Sequence, residues 1–400
     1  MSKKIAYIVS NPGVNDARVI KMAKAAANKG YKVHLFGVFK PGFEYYEEIG
    51  NITISRFEWK PLNLLLEKSL FLSLINKINK KLFVYFGKKF LPYVKYNLFA
   101  NIMIDEIIKS KPDIIHAHDL ICLPLAAKAA KELNIPYIYD AHELEIHRNP
   151  PLPILQKLYV KSLEKKYSQN ASYIITVGKY VAKELSKHLK NKKIEVIYNS
   201  PEISPTRHNI RKDLNVDNKK IILYVGKVAV GRGIEDVIKI LPTLPDDVIF
   251  ATVGPVDKKQ KEILEKMAKK LNVSDRFTIL PQVNYNQVVE YIKGADLGLI
   301  SVQPVTLSYQ YSMPNKLFEL SFANVPILSN DLDEIKEFIN EHKNGEVIDI
   351  NDSIKLKYFI SKMLKLKDKY IMDDSTYKKL YEKYSWDTQL NKLFNIYEQL

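Results

Sequence analysis

The stretch IILYVGKVAVGRGIEDVIKI, residues 221–240, decides how this chain folds. It opens with a β-branched run that stops at Gly226. A loop follows through Lys227 to Gly231-Arg232-Gly233, and a helical stretch then begins. A strand that turns through glycines into a helix is the first half of a βαβ unit. Working outward, the same alternation continues to the C-terminal side. Strands are expected at Ile221–Gly226, Val248–Gly254, Phe277–Leu280, Asp296–Ser301, Pro326–Ser329 and Glu346–Ile350, with helices from about Ser353 onward. To the N-terminal side, strands are expected at Lys4–Ser10, Tyr31–Val38, Asn51–Phe57, Asp113–His118, Pro136–Ala141, Tyr173–Val177 and Ile194–Tyr198. A helix over Asp16–Lys29 is stopped by Gly30. Alternation of this kind implies parallel sheets with helices on both faces.

The pattern breaks once. Asn199–Lys220 holds Pro201 and Pro205, few apolar residues and many charges. The chain therefore divides into an N-terminal α/β domain over 1–200, a linker over 201–220, a C-terminal α/β domain over 221–375, and a terminal helix over 376–400. Its 400 residues, 46% hydrophobic, suffice for two cores. The single cysteine, Cys122, excludes an intrachain disulfide and suits a reducing, cytoplasmic setting. Met1–Ser10 reads as a strand rather than a leader, and no run reaches the roughly 18 apolar residues of a spanning helix. The net charge of +16 favours anionic partners without naming one. Lysines scattered over helix faces explain it as well, and no element concentrates basic and aromatic residues as a nucleic-acid reader would.

One segment, residues 62–99, is apolar yet dotted with lysines. Phe71, Leu74, Ile75, Ile78, Leu82 and Tyr85 follow helical spacing, with Ser69, Ser73, Asn76, Lys77 and Lys80 on the opposite face. Nine lysines face three acids between Lys60 and Lys109. With Phe83, Phe86 and Phe90, this reads either as a core-packing helix with a solvated face or as a basic amphipathic helix on an anionic membrane. In the second reading Lys77, Lys80, Lys81, Lys88 and Lys89 form the membrane or acceptor surface.

Ligands of open parallel sheets sit beyond the carboxyl ends of the strands. There, Lys227 and Arg232 share one loop and can converge on a diphosphate beside Gly226. Pro314-Asn-Lys-Leu-Phe-Glu319 opens a helix whose start, at Asn315 and Lys316, offers amide groups to phosphate, and Glu319 can accept from ribose hydroxyls. A surface pair of Lys316 with Glu319 is the plainer alternative. In the first half, His116-Ala-His118-Asp119 and Asp140-Ala-His142-Glu143 close two strands. His116 and His118 share a face by strand alternation. A metal held by His116, His118 and His142 is one arrangement; a packed or capping role suits His116 better, and His142 at the strand tip is the functional candidate. Asp331 and Asp333, the only Asp-x-Asp, read as a helix cap rather than a metal motif.

These motifs together resemble the GT-B, retaining glycosyltransferases of family 4, the group 1 transferases. The resemblance runs nearly the whole length: the loop around Gly13, Asp113-Ile-Ile-His-Ala-His, Tyr139-Asp-Ala-His-Glu, Val196-Ile-Tyr-Asn-Ser-Pro, Gly226-Lys with Arg232-Gly233, Ala295-Asp296, Pro314-Asn-Lys-Leu-Phe-Glu, and Tyr384-Ser-Trp386. It implies two Rossmann-like domains facing a central cleft, with the last helix, Trp386 to Tyr397, crossing back to the first domain. It implies a nucleotide-diphosphate sugar as donor, UDP-sugar favoured, with a hexosyl or N-acetylhexosaminyl group moved to a saccharide or lipid-linked acceptor in polysaccharide or glycolipid synthesis. Lys227 and Arg232 match the family's basic pair on the donor diphosphate, in reversed order. Glu319 matches the ribose-holding glutamate, His142 the histidine near the transferred sugar, and Gly13 the first-strand loop. No metal or other cofactor is expected. Two positions depart: Tyr311 stands where many members carry a second, sugar-reading glutamate, and Gly178 replaces a serine. A nucleotide-sugar epimerase or hydrolase on the same fold, or an inactive partner subunit, fits the same motifs. The expected location is cytoplasmic, with a peripheral position on the inner membrane face if the lysine-rich segment binds lipid.

Overall fold

Short β-branched runs, most of them followed by a helix, settle in a computed structural model into two sheets. The structure describes all residues except 1, 15, 69–78 and 191, and the side chains of 65–68, 80, 82 and 83 are likewise outside it. The chain forms two compact units. Unit 1 comprises Met1–Ile197 and Leu390–Leu400, and unit 2 comprises Tyr198–Gln389.

Unit 1 is built on eight strands: β1 (Lys4–Ile8), β2 (Lys32–Val38), β3 (Tyr46–Ile49), β4 (Ile52–Phe57), β5 (Ile114–His118), β6 (Tyr137–Ala141), β7 (Tyr173–Thr176) and β8 (Ile194–Val196). Their order is β3-β4-β2-β1-β5-β6-β7-β8. All neighbours are parallel except β3 with β4. Every residue of β5 and β6 is buried, as expected of strands covered on both faces. The sheet runs outward in both directions from β1 and β5, so their carboxyl ends flank a switch point where loops diverge and a ligand can enter. The antiparallel β3 was not expected. Tyr46-Glu-Glu-Ile49 has no apolar alternation, and Gly50-Asn51 alone turns it onto β4, pairing Ile49 with Ile52.

Unit 2 carries β9 (Lys220–Val225), β10 (Val248–Val253), β11 (Phe277–Leu280), β12 (Leu297–Ile300), β13 (Ile327–Asn330) and β14 (Gly345–Ile348), ordered β11-β10-β9-β12-β13-β14. All pairs are parallel, and the switch point lies between β9 and β12. Its core joins Ile222, Tyr224, Phe250, Leu299 and Leu328 to helix residues such as Val237, Leu264 and Ile360.

Residues 201–220, expected as a bare linker, are part of unit 2 and contain a helix, Ile210–Leu214. Asn209 caps it by accepting from the Lys212 amide at 2.9 Å. Arg211 then ties it to Asp296 at 2.6 Å. A side-chain cap and one distant ion pair hold a segment whose composition suggested none. Asp333 opens the helix Asp333–His342 but is not its cap, a position held by Leu332; Asp331 pairs instead with Lys336 at 3.0 Å. The last helix spans Trp386–Gln399, and its end docks on unit 1: the Tyr397 and Tyr7 hydroxyls lie 2.6 Å apart, and Lys392 donates to the Val196 carbonyl.

Between residues 62 and 99 two helices are described, Pro61–Lys68 and Lys80–Phe99. Lys77, together with Ser69, Phe71, Ser73, Leu74, Ile75, Asn76 and Ile78, lies outside the described residues. The side chains of Lys80, Leu82 and Phe83 do so too. Phe86 packs against Leu98 with Trp59 and Val94, whereas Tyr85 and Phe90 are about half exposed and Lys81, Lys88 and Lys89 exposed.

Candidate functional site

In unit 2 the β9 strand ends at Gly226 with φ +119°, a left-handed turn available to glycine. The loop is fixed from both sides. Gly226 and Val228 donate to the carbonyls of Val253 and Pro255 at 2.9 Å each, and the Tyr224 hydroxyl donates to the Lys227 carbonyl at 3.1 Å. Gly254, at the tip of β10, packs so closely that a Cβ there would meet the Gly226 carbonyl oxygen at 2.2 Å. Two strand tips are therefore pressed together under the loop. At the far end of the loop Arg232 gives its carbonyl to the Ser301 hydroxyl, just beyond β12, and Gly233 turns into the helix Ile234–Ile240.

The helix Asn315–Phe322 brings Lys316 to the same place. Its Nζ stands 3.8 Å above the Tyr224 ring centroid and 3.5 Å from where a Gly226 Cβ would be. Burial, with Arg232 as a second cause, pushes the Lys316 ammonium down to about 7 against the opposing pull of Glu319. Burial is the larger cause and the Arg232 charge the smaller, so an anion placed here would offset both. So the plainer alternative, a solvated Lys316–Glu319 surface pair, does not describe this lysine. Of the donor-side residues singled out in the sequence, Gly226, Arg232, Lys316 and Glu319 meet around this point. Lys227 is exposed at its rim, and Asn315 is the exposed first residue of the helix. Tyr311 ends the short helix Leu307–Gln310, four residues before that start.

In unit 1 the candidates cluster at the carboxyl ends of β1, β5 and β6. Asp140 is the centre. It is fully buried and grips Arg18 through two bonds, Nε to Oδ2 at 2.9 Å and Nη2 to Oδ1 at 3.0 Å. Burial alone would raise its carboxyl, but Arg18 and then His142 outweigh it and hold it well below the usual carboxylate range. His116 and His118 stack at 4.3 Å and lie 3.7 and 3.4 Å from the same carboxylate oxygen. Burial pushes both down, His118 to about 3, so they are neutral. His142 behaves oppositely. Burial alone would lower it, but Asp119 at 3.6 Å and Asp140 at 3.6 Å bring it up to about 9, an imidazolium at neutral pH. Its Nε2 lies 3.1 Å from His118 Nδ1, while His118 Nε2 is buried with no hydrogen-bond partner among the described residues. His116 Nδ1 meets the Tyr397 hydroxyl at 2.7 Å. Gly13, at φ +89°, turns the β1 loop; its amide donates to Asn11, and a Cβ would strike Leu35.

The ligand-distance cluster among the described residues is His116, His118 and Asp140, within 4.8 Å, rather than the His116, His118 and His142 set conceived from sequence. Arg18 already bonds both carboxylate oxygens, so a cation there would share the Asp140 charge with a guanidinium. Sequence reasoning missed Arg18 and the role of Asp119. Arg18 sits in the apolar stripe of the helix Ala17–Asn28, beside Val19 and Met22, and a charge in such a stripe was the available signal.

Comparison with known proteins settles the family. A model described as Glycosyltransferase Family 4 matches residues 17–201, and one described as Glycosyl transferases group 1 matches residues 206–382. The chain belongs to the family 4, group 1 glycosyltransferases. An uncharacterised glycosyltransferase of Methanocaldococcus jannaschii is 24% identical over 303 residues, 72% of this glycosyltransferase and 75% of its relative. Among solved structures, sucrose-phosphate synthase from Thermosynechococcus elongatus matches with a TM-score of 0.76 at 16% identity, covering 99% of this chain and 98% of that one. Anabaena HepE in complex with UDP matches with a TM-score of 0.71 at 16% identity over 100% of both chains. The fold of this glycosyltransferase is therefore the two-domain, Rossmann-like GT-B fold. Among the described residues no helix is long and apolar enough to cross a membrane.

Proposed function

We propose that this glycosyltransferase takes a hexosyl or N-acetylhexosaminyl group from a nucleotide-diphosphate sugar, with uridine the favoured base, and delivers it with retention to a lipid-linked or saccharide acceptor. The observation that carries the donor half is the convergence of Lys316, Arg232 and the Gly226–Lys227 turn at the switch point of unit 2. A buried lysine beside an arginine and a glycine turn suits a diphosphate. The solved HepE complex with UDP supports the same ligand class and the uridine preference.

Cleaving a sugar–diphosphate bond builds negative charge on the leaving diphosphate. Lys227, Arg232 and Lys316 are assigned to that charge, and preorganised charge needs no reorganisation as the bond breaks. Such cations serve where other enzymes use a divalent ion, and Arg18 already occupies the carboxylate of the histidine cluster. The reaction is therefore expected to proceed without metal. Glu319 is assigned to the ribose hydroxyls and His142, carried as imidazolium, to the reacting sugar. The departing phosphate takes the acceptor's proton, so no separate base is required. The exposed lysines 81, 88 and 89 support an acceptor carried on an anionic membrane, on its inner face.

The experiment is a thermal-shift screen with uridine, guanosine and adenosine diphosphate sugars, followed by transfer assays of Lys227→Ala and Arg232→Ala in excess chelator. Each variant is expected to lose turnover by about a hundredfold, the scale of one lost charge-stabilising donor. Undiminished turnover in both, or a strict need for added metal, would refute the assignment.

A further inference from the structure

Three aliphatic side chains in unit 1 stand unusually bare. Ile154, Leu155 and Leu158 are 78%, 73% and 60% exposed at the start of the helix Ile154–Ser168. They sit on one face, one turn apart. The helix Lys80–Phe99 lies alongside, with Tyr93 against Tyr159 at 5.5 Å between ring centroids and the Tyr167 hydroxyl donating to Asn97. Both contacts place the two helices side by side. Phe90, 49% exposed, is three residues before Tyr93, and Leu155 is four before Tyr159. Pro92 interrupts the helix between Phe90 and Tyr93, so the bare ridge is that of Ile154, Leu155 and Leu158.

The charges carried by these two helices are almost all of one sign. The two helices carry nine lysines and a single acid, Glu164. Glu164 is buried and already bonded to the Tyr139 hydroxyl and to His188, so it contributes nothing to the surface. Lys81, Lys88, Lys89, Lys161 and Lys165 are exposed. Protein–protein interfaces are depleted in lysine around their apolar centre. Protruding aliphatics on lysine-rich helices suit a bilayer instead. The aliphatics enter the acyl boundary while the ammonium groups remain among anionic headgroups.

We infer that the ridge formed by Ile154, Leu155 and Leu158 is a docking surface for an anionic lipid bilayer. It extends the membrane reading of the lysine-rich segment to a helix that the sequence analysis did not single out, and it rests on that reading. Insertion supplies the lipid-independent part of the affinity, and the lysines supply the preference for anionic lipid.

The test uses the full chain with phosphatidylcholine vesicles, with and without phosphatidylglycerol, measured by co-sedimentation. Wild-type protein is expected to bind the anionic vesicles and to release as salt is raised. The variant Ile154→Ser with Leu155→Ser and Leu158→Ser removes only exposed side chains, so it folds and binds nucleotide as the wild type does. It is expected to bind anionic vesicles at least about tenfold more weakly. Equal binding by variant and wild type overturns the inference, as does failure of the wild type to bind. A concentration-dependent dimer that the variant abolishes, without vesicle binding, also overturns it by assigning the ridge to a second copy. The vesicles contain no sugar acceptor. Binding combined with transfer only to soluble acceptors would keep the docking surface and end the lipid-acceptor reading.

Discussion

Replacing Asp140 by Asn tests the interior of unit 1 with the least change in shape. In the native protein Arg18 spends two of its donors on the carboxylate at 2.9 and 3.0 Å and a third on the Ile197 carbonyl at 2.8 Å. Neither partner has water to fall back on, since the side chains are 3% and 0% exposed. The amide retains one acceptor oxygen but points an NH2 group at a guanidinium and removes the counter-charge. Breaking a buried pair from one side costs about 3–5 kcal/mol, because the remaining charge stays desolvated. In a domain of this size 1 kcal/mol moves the midpoint by roughly 2–4 °C, so unit 1 is expected to melt about 6–20 °C lower. Trp59 lies in unit 1 and Trp386 in unit 2. Trp59 fluorescence in a Trp386→Phe background therefore follows the affected unit, with calorimetry reporting both. Adding Arg18→Met to Asp140→Asn is expected to restore part of the loss by removing the stranded charge. A shift below about 3 °C for the single variant would refute the claim that this pair is a dry, fully committed ion pair.

Three further outcomes follow from the same geometry. His142 has a folded pKa of about 9 against an ordinary 6.5, so its stabilisation is complete below the ordinary value and disappears as pH rises through 9. His142→Asn is expected to cost at most about 3 kcal/mol in urea unfolding near neutrality and progressively less toward alkaline pH; a cost that grows with pH would contradict the assignment. Lys316, near 7 when the pocket is empty, is expected to take up as much as one proton when a nucleoside diphosphate binds in mildly alkaline buffer. Binding enthalpy should then depend on the ionisation enthalpy of the buffer, and Lys316→Arg should abolish that dependence. Gly254→Ala places a Cβ 2.2 Å from the Gly226 carbonyl, so it is expected to lower unit 2 stability by about 1–3 kcal/mol and weaken diphosphate binding. Unchanged affinity by calorimetry would show that the β10 tip does not set the loop.

Much of the fold was legible because it depends on local signals. Runs such as Ile221–Val225 and Val248–Val253 are long, β-branched and stopped by glycine, and nearly every strand expected from such runs forms within a residue or two. What escaped depends on partners far away in sequence. β3 has a polar sequence and exists because β4 offers an edge. The Ile210–Leu214 helix is held by Arg211 on Asp296, 85 positions away. The donor loop was visible from its glycines and cations, yet the displaced proton on Lys316 comes from burial against Tyr224 and Arg232, which no linear pattern encodes. Likewise His142 could be named as a strand-tip histidine, but its charge is set by Asp119 and Asp140, and the state of Asp140 is set by an arginine 122 residues earlier.

The hydrogen bond between Tyr7 and Tyr397 has a consequence for biosynthesis. Its two ends are 390 residues apart, and the Tyr397 hydroxyl also meets His116 beneath the Asp140 cluster. Unit 2, continuous from Tyr198 to Gln389, has all its residues as soon as they leave the ribosome. Unit 1 is started first but lacks Leu390–Leu400 until all of unit 2 has been made. The usual vectorial order, N-terminal domain first, is therefore inverted for its final step. The nascent chain carries Tyr7 and His116 without their partner until Tyr397 has been added, after the whole of unit 2, and a chain broken off before that point never acquires it.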